Sequence, residues 1–191
     1  MTDRLSAKDR LLDAAAELFY SQGVGATGID AITARAGVAK MSLYNNFESK
    51  TELVYAYIQR RHDEWLASYQ ARAGKAKSPQ ERVLAVFDSY VDHAELAYEW
   101  GFRGCGLLNA AAELPIGDPG RTAVAAQKEE AERLFKQHLG ELKPNAGAVI
   151  DQTAEHLSFL LEGAMQRAGL DGHDARLKSA RRIAVSILQQ F

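Results

Sequence analysis

The sequence predicts an all-α chain of about nine helices, and three observations support this. The 191 residues include only four prolines, and signals for β-hairpins are few. Apolar residues recur three or four positions apart in most long segments, as they do along one face of a helix. The segments Ser-Lys-Thr-Glu at 49–52 and Ser-Pro-Gln-Glu at 78–81 match the capping box with which many helices begin.

The first helix is expected from about Ser6 to Gln22, and Gly23 would end it because a residue without Cβ tolerates positive φ. Thr27 is expected to cap a second, shorter helix that ends at Ala36. The inward faces of these two helices would carry Leu11, Ala15, Leu18, Phe19, Ile29, Ile32 and Ala36.

The most informative segment, 37–50, comes directly after the second helix. Gly37 suits a tight turn, and the next helix, 40–47, is only about two turns long, with Leu43 and Phe47 on one face. A helix this short is marginal alone and must pack against its neighbours. Two short helices joined by a glycine turn, the second with a polar face, describe a helix-turn-helix, which presents polar side chains to a DNA groove.

The rest of the chain is also expected to be helical, with breaks rich in glycine and proline. A long helix beginning at the first capping box suits a connector between a small head and a larger body. The further helices are expected at about 50–72, 79–98, 107–114, 121–139, 146–168 and 174–190.

The last two helices combine apolar stripes with small residues at Gly163, Ala164, Ala180 and Ala184. Small residues allow helices to approach closely. The two helices can form an internal core pair, or they can meet their copies in a dimer, and the pattern alone favours neither.

A longer series of residues extends around the glycine turn. It contains Leu11-Leu12-Asp13-Ala14-Ala15-Ala16-Glu17-Leu18-Phe19, Gly23, Ala26-Thr27, Ile29, Ile32, Ala36-Gly37-Val38, Leu43-Tyr44, Phe47, Ser49-Lys50 and Leu53. In this order the residues resemble the N-terminal domain of the TetR family of transcriptional regulators. The resemblance covers 8–55, about a quarter of the chain, and continues afterwards only as a similar layout of helices.

The resemblance implies a helix-turn-helix DNA-binding domain at 1–50 and a larger helical domain for ligand binding and dimerisation at 51–191. It implies a cytoplasmic homodimer in which the last two helices pair with their copies. The expected function is ligand-responsive transcription regulation. The most frequent mode in the family is repression, relieved when a small apolar or aromatic effector releases the protein from a palindromic double-stranded DNA operator.

The residues that would touch DNA are carried over from the family as Thr33, Lys40, Met41, Ser42, Tyr44, Asn45, Asn46 and Lys50. Asn can bond adenine bidentately, whereas Tyr and Lys suit phosphates. Partial core packing is the alternative for Tyr44, and helix-end capping is the alternative for the two Asn residues. Ala39 departs from the family because a capping Ser or Thr is common there, and Ala cannot accept the N-cap hydrogen bond.

For the effector the sequence offers mainly aromatic residues, which at helical spacing are more often plain core. The candidates are Trp65, Tyr69, Phe87, Tyr90, Trp100, Phe102, Cys105, Asn109 and Phe159. Glu113 and His156 could add polar contacts. Cys105 also lies near Arg103, which could lower the pKa of a thiol, but a small buried residue is the more frequent role for such a cysteine.

Other functional classes find little support. The five His residues lack metal-ligand spacing, and neither a phosphate loop nor a dinucleotide fingerprint is present, so no enzyme activity, metal or cofactor is expected. The N-terminus lacks the apolar core of a signal peptide, and no apolar run approaches the roughly 20 residues of a membrane span. The single cysteine fits a reducing compartment.

Charge gives the one argument against DNA binding. The net charge is −2, and the first 50 residues hold six basic and six acidic side chains, so there is no basic tail or stripe. DNA affinity would then depend on where a few cations lie. The alternative is a helical ligand-binding protein or enzyme whose helix-turn-helix is vestigial.

Overall fold

The computed structural model describes residues 5–96 and 98–191, and these contain nine α-helices and no β-strand, which confirms the all-α prediction. The helices are α1 (Ala7–Gln22), α2 (Ile29–Ala36), α3 (Lys40–Tyr44), α4 (Lys50–Ala73), α5 (Pro79–Ala94), α6 (Gly106–Glu113), α7 (Pro119–Leu142), α8 (Ala148–Asp171) and α9 (Ala175–Gln190). None of these helices is both long enough and apolar enough to cross a bilayer.

Both predicted capping boxes begin helices. Ser49 Oγ accepts a hydrogen bond from the backbone N–H of Glu52 at 3.1 Å, and Ser78 Oγ accepts one from Glu81 at 3.2 Å. The side-chain oxygens thereby satisfy N–H groups that have no partner within the first turn.

The predicted cap of α2 is wrong. Gly28 occupies the N-cap position, and no side chain bonds the first turn. The hydroxyl of Thr27 is instead buried and donates to the carbonyl of Gly23 at 2.6 Å, with a longer contact to the carbonyl of Leu18. Thr27 therefore fixes the end of α1 and the turn after it.

Several helix ends also differ from prediction, among them one end each of α3, α5 and α7. The helix α3 stops at Tyr44, because the N–H of Asn46 bonds the carbonyl of Leu43 in a tight turn. The helix α5 ends at Ala94, four residues early, and Tyr98 instead stacks on Tyr20 with ring centroids 4.4 Å apart. The helix α7 begins earlier, at a proline, which needs no N–H partner in the first turn.

The described chain divides into two compact units that alternate along the sequence. The first unit comprises 5–61, 98–100 and 106–124, and the second comprises 62–96, 101–105 and 125–191. The predicted boundary at residue 50, between a DNA-binding domain and a domain for ligand binding and dimerisation, stays a prediction.

One apolar core holds the first unit together. It joins α1, α2 and α3 to the start of α4, and Ala110 and Val124 bring α6 and the start of α7 into the same core. The fully buried side chains at its centre are Leu11, Ala15, Ile32, Leu43, Leu53 and Ile58. The helix α3 is thus stabilised by packing on its neighbours, since it has only five residues.

The second unit is a helical body in which α9 packs on both α8 and α5. Phe87 and Phe135 are fully buried and lie 5.6 Å apart between ring centroids. The segment 101–105 lies directly against α8: a Cβ built on Gly169 would come within 2.6 Å of the backbone nitrogen of Gly104. Only glycine at 169 permits this approach, so the segment that contains Cys105 packs closely on α8.

Candidate DNA-binding surface and effector site

The turn between α2 and α3 has the geometry of a helix-turn-helix. Gly37 takes a left-handed conformation with φ of 62°, and its N–H bonds the carbonyl of Ala34. The guanidinium of Arg10 on α1 donates to the carbonyls of Ala36 and Gly37 at 3.4 and 3.3 Å. Arg10 thus ties the turn to α1, a role that no local pattern in the sequence reveals.

The helix α3 has an apolar face and an exposed face. Leu43 is fully buried and Phe47, just beyond the helix, is nearly so, which fixes the orientation of the segment. On the other side, Met41 is 68% exposed and Tyr44 is 49% exposed. Tyr44 is therefore not a core residue, and its hydroxyl-bearing ring is available to a ligand at this surface.

The first turn of α3 lacks a side-chain cap, as expected from Ala39. Lys40 instead forms an ion pair with Asp30 of α2, with Nζ 2.8 Å from the carboxylate oxygen. Hydrogen bonding to Asp30 raises the pKa of Lys40, so the ammonium remains charged. The pair links the two helices at an exposed position.

Two candidate DNA contacts serve the local fold. The amide of Asn46 donates to the carbonyl of Ser42 at 2.7 Å, so Asn46 caps the end of α3. Thr33 is only 6% exposed, and its hydroxyl donates to the carbonyls of Ile29 and Asp30 within α2. Asn45 is exposed and follows directly after α3.

Lys50 is the first residue of α4 and is partly exposed. The N-terminus of a helix carries partial positive charge and free backbone N–H groups, which favour a phosphate. A lysine at this point adds a full charge to the same place. Lys40 and Lys50 therefore place one positive charge at the start of α3 and one at the start of α4.

The candidates for an effector site are divided between the two units. Most of them lie in the second unit: Trp65, Tyr69, Phe87, Tyr90, Phe102 and Cys105. Trp100 and Asn109 lie in the first unit, and Trp100 is 68% exposed. Phe159 also belongs to the second unit, but it is 66% exposed on α8 and lines a surface groove.

Around Tyr90 the second unit holds a group of polar side chains, here called the Tyr90 cluster: Tyr90, Cys105, Lys128 and Glu162. The hydroxyl of Tyr90 donates to Glu162 Oε1 at 2.9 Å. The ammonium of Lys128 lies 3.0 Å from Glu162 Oε1, 3.3 Å from the Tyr90 hydroxyl and 3.4 Å from Cys105 Sγ. Sequence analysis did not identify Lys128 or Glu162, because the contacts join α7 and α8 across 34 residues.

The charges in the Tyr90 cluster are balanced. Burial alone would lower the pKa of Lys128, but Cys105, Tyr90 and Glu162 around it raise that pKa above its usual value. Burial and the neighbouring Glu162 carboxylate raise the pKa of Tyr90, so its hydroxyl stays protonated and donates. The cluster therefore contains one cation and one anion held together in an aromatic environment.

A groove of about 350 Å³ runs between α8 and α9. Its lining is mostly apolar and includes Phe159, Leu160, Ala180 and Ile183. Gly163 also lines the groove and has open space where a Cβ would lie. Large exposed apolar side chains beside small residues provide a surface on which another helix could pack closely.

Comparisons with known proteins agree with this geometry. Residues 11–57 match the family described as bacterial regulatory proteins, tetR family. The chain is 35% identical over 88 residues to the HTH-type transcriptional activator FasR of Mycolicibacterium smegmatis, covering 46% of this chain and 40% of FasR. The chain thus matches less than half the length of that regulator.

Two solved structures match almost the whole chain. SCO4454, a TetR-family transcriptional regulator from Streptomyces coelicolor, superposes with a TM-score of 0.87 at 29% identity, over 96% of this chain and 95% of that one. The putative TetR transcriptional regulator sav143 from Streptomyces avermitilis superposes with a TM-score of 0.72 at 30% identity, over 94% and 98% of the two chains. With the helix-turn-helix in place at its N-terminus, the chain belongs to the TetR family of transcriptional regulators.

Proposed function

We propose that the protein is a ligand-responsive, dimeric repressor that leaves a palindromic operator when it binds a small apolar or aromatic molecule. The observation that carries the DNA-binding part is the exposed face of α3. Its buried face is fixed by Leu43 and Phe47, so the opposite side chains hold a defined orientation.

The proposed DNA contacts are Lys40, Met41, Ser42, Tyr44, Asn45 and Lys50. Asn45 reads a base edge, Met41 meets a thymine methyl group, and Tyr44 and Lys50 contact phosphates. Asn46 caps the end of α3 through its bond to Ser42. Thr33 is not among the proposed contacts, because its hydroxyl is already bonded within α2.

The proposed dimer forms through the groove between α8 and α9. Phe159 and Ile183 are 66% and 48% exposed there, and Gly163 allows close approach of a second helix. Two copies present two recognition segments, and symmetric operators require half-sites about one DNA turn, roughly 34–36 Å, apart. Dimerisation also doubles the few cations at the DNA surface.

The proposed effector binds in the second unit, against Trp65, Tyr69 and Tyr90. The helix α4 runs from the first unit into the second, so it is continuous with both the DNA-binding head and this site. An effector that favours one position of α4 changes the spacing of the two recognition segments. The coupling free energy between two such sites is typically about 1–3 kcal/mol. Operator DNA must weaken effector binding by the same factor by which the effector weakens operator binding.

The decisive experiment is selection of bound sequences from random duplex DNA with the purified protein. We expect an inverted repeat with half-sites about one turn apart. Absence of any enriched sequence would contradict DNA reading and favour the alternative, a helical ligand-binding protein or enzyme with a vestigial helix-turn-helix.

A second measurement is needed to distinguish repression from activation, because the relative FasR is named as an activator. A reporter gene placed behind the selected operator should be silenced when the protein is expressed in cells. Higher expression of the reporter in the presence of the protein would make this chain an activator.

A further inference from the structure

Two polar atoms beside the Tyr90 cluster lack partners. The carboxylate oxygen Oε2 of Glu162 and the indole N–H of Trp65 are both inaccessible to solvent, and neither makes a hydrogen bond within the described chain. A buried donor or acceptor without a partner is costly, so native proteins rarely leave one unsatisfied. An acceptor and a donor therefore remain to be filled in this part of the second unit.

The side chains that carry these two atoms both contact Tyr90. Glu162 Oε1 accepts the hydroxyl of Tyr90 at 2.9 Å, which places the rest of the carboxylate beside that hydroxyl. Trp65 meets Tyr90 edge to face, with ring centroids 6.0 Å apart. Trp65 also stacks on Tyr69 at 6.2 Å. The unfilled acceptor and donor thus lie in one aromatic setting.

The charges of the Tyr90 cluster limit which ligands can bond to Glu162 Oε2 and to the indole N–H of Trp65. The ammonium of Lys128 already has three acceptors within 3.4 Å, one for each of its N–H groups: Glu162, Tyr90 and Cys105. An anionic ligand would find no free ammonium and would face the carboxylate of Glu162. A cationic ligand bound to Glu162 Oε2 would lie near Lys128 and be repelled by it.

We infer that this part of the second unit binds a neutral molecule with an aromatic body and a hydroxyl group, such as a phenol or an alcohol. Its O–H donates to Glu162 Oε2, and its oxygen accepts from the indole N–H of Trp65. A hydroxyl group matches both unfilled atoms in chemistry, because it is a donor and an acceptor at once. This inference rests on the proposed function only in identifying the site as the effector site.

The test compares ligands of similar size that differ in whether their oxygen can donate a hydrogen bond. The isomers 4-propylphenol and 4-ethylanisole have the same atoms, but only the phenol can donate a hydrogen bond, and 4-ethylbenzoate adds a negative charge. Trp100→Phe is introduced into every protein compared, so that Trp65 is the single tryptophan and its fluorescence reports binding. We expect the phenol to bind at least tenfold more tightly than the anisole or the benzoate.

Glu162→Gln provides the matching change in the protein. Because Tyr90 and Lys128 both donate to one oxygen, the amide would turn its oxygen to them and put an NH₂ donor where Oε2 was. The preference for the phenol over the anisole should then fall below threefold. Glu155→Gln, the same change at an exposed position of α8, should leave the preference intact.

If Glu162→Gln does not fold, Trp65→Phe replaces it, with calorimetry in place of fluorescence. The oxygens of the phenol and of the anisole would both lose the indole donor. The affinities of the two ligands should therefore fall by about the same factor, and the ratio between them should not change. Equal binding of the two isomers, binding of neither, or the same loss of preference in Glu155→Gln would overturn the inference. A phenol preference without any effect on DNA binding would uphold the inference and contradict the proposed regulation.

Discussion

The carboxylate of Glu113 accepts a hydrogen bond from the backbone N–H of Val24 at 3.0 Å, although 89 residues separate the two in sequence. Its second oxygen accepts from the N–H of Gly25 at 2.6 Å. Glu113 is the last residue of α6, and the N–H groups belong to the turn between α1 and α2. The end of α6 therefore holds the turn that leads into the helix-turn-helix.

Glu113→Ala should lower the free energy of unfolding by about 1 kcal/mol, because two backbone N–H groups lose a charged acceptor that water replaces only in part. Operator affinity should fall as well, since the turn before α2 loses its restraint. Urea unfolding and anisotropy titration with operator DNA measure the two effects. Glu129→Ala, at an exposed position of α7, is the matched control and should change neither.

Glu113 also shows which features the sequence could predict. Helix positions, the glycine turn and the capping boxes depend on residues within a few positions of one another, and their periodicity is visible in the chain. Glu113 was expected to be a polar contact for a ligand, and nothing near it in sequence indicates Val24 and Gly25 as its partners. Lys128 and Glu162 were missed for the same reason, since they meet only when α7 packs near α8.

The wrong prediction for the cap of α2 also arose because the surrounding fold selects the partner of a side chain. Thr27 has the chemistry of an N-cap, but its hydroxyl reaches carbonyls behind it at the end of α1. Ser, Thr, Asn and Asp can each bond several nearby backbone groups, and the surrounding fold decides which. At Asn46 the capping alternative is the one observed, whereas Tyr44 is about half exposed.

Contacts to DNA should separate into two kinds. Lys50→Ala and Tyr44→Phe should weaken binding to all sequences by nearly the same factor, because phosphates position the protein without specifying bases. Asn45→Ala should instead lose about 1–3 kcal/mol of discrimination at particular base pairs. Anisotropy titrations over single-base variants of the selected operator distinguish the two patterns. If Lys50→Ala shifts the preferred sequence and Asn45→Ala does not, the assigned roles are reversed.

Asn46→Ala should act differently from Asn45→Ala. It removes the hydrogen bond to the carbonyl of Ser42, so the end of α3 should fray. Affinity should then decline for every operator variant alike, with a small loss of stability of about 1 kcal/mol. A change of base preference in Asn46→Ala would show that its amide reaches the groove.

Charged substitutions in the groove between α8 and α9 should separate the dimer. Phe159→Glu and Ile183→Glu each place a carboxylate where an apolar side chain would be buried between copies, and an unpaired charge in such a position is strongly unfavourable. Light scattering should change from dimer to monomer mass at micromolar concentration. Val149→Glu, which alters an equally apolar exposed residue of α8 outside the groove lining, should remain dimeric. A monomer mass for the unmodified protein would refute the interface altogether.

The stability of the folded protein should depend on pH through His138. His138 is buried in the second unit, where its Nδ1 accepts from Arg82 Nε at 3.3 Å and its Nε2 lies 2.6 Å from the Tyr69 hydroxyl. Burial lowers the pKa of His138 below its usual 6.5, although Glu141 opposes the shift. In the unfolded chain this histidine therefore takes up a proton more readily than in the folded protein.

Above about pH 6.5 the histidine is neutral in both states and its contribution to stability is fully present; as the pH falls below 6.5 toward the lowered folded pKa, the unfolded state gains a proton first. The free energy of unfolding should therefore decline between pH 7 and pH 5, a window above that of the carboxylates. His138→Gln should flatten this decline, whereas His156→Asn, at an exposed site on α8, should preserve it. Urea unfolding at several pH values measures the slope, and an unchanged slope in His138→Gln would mean that other groups titrate in this range.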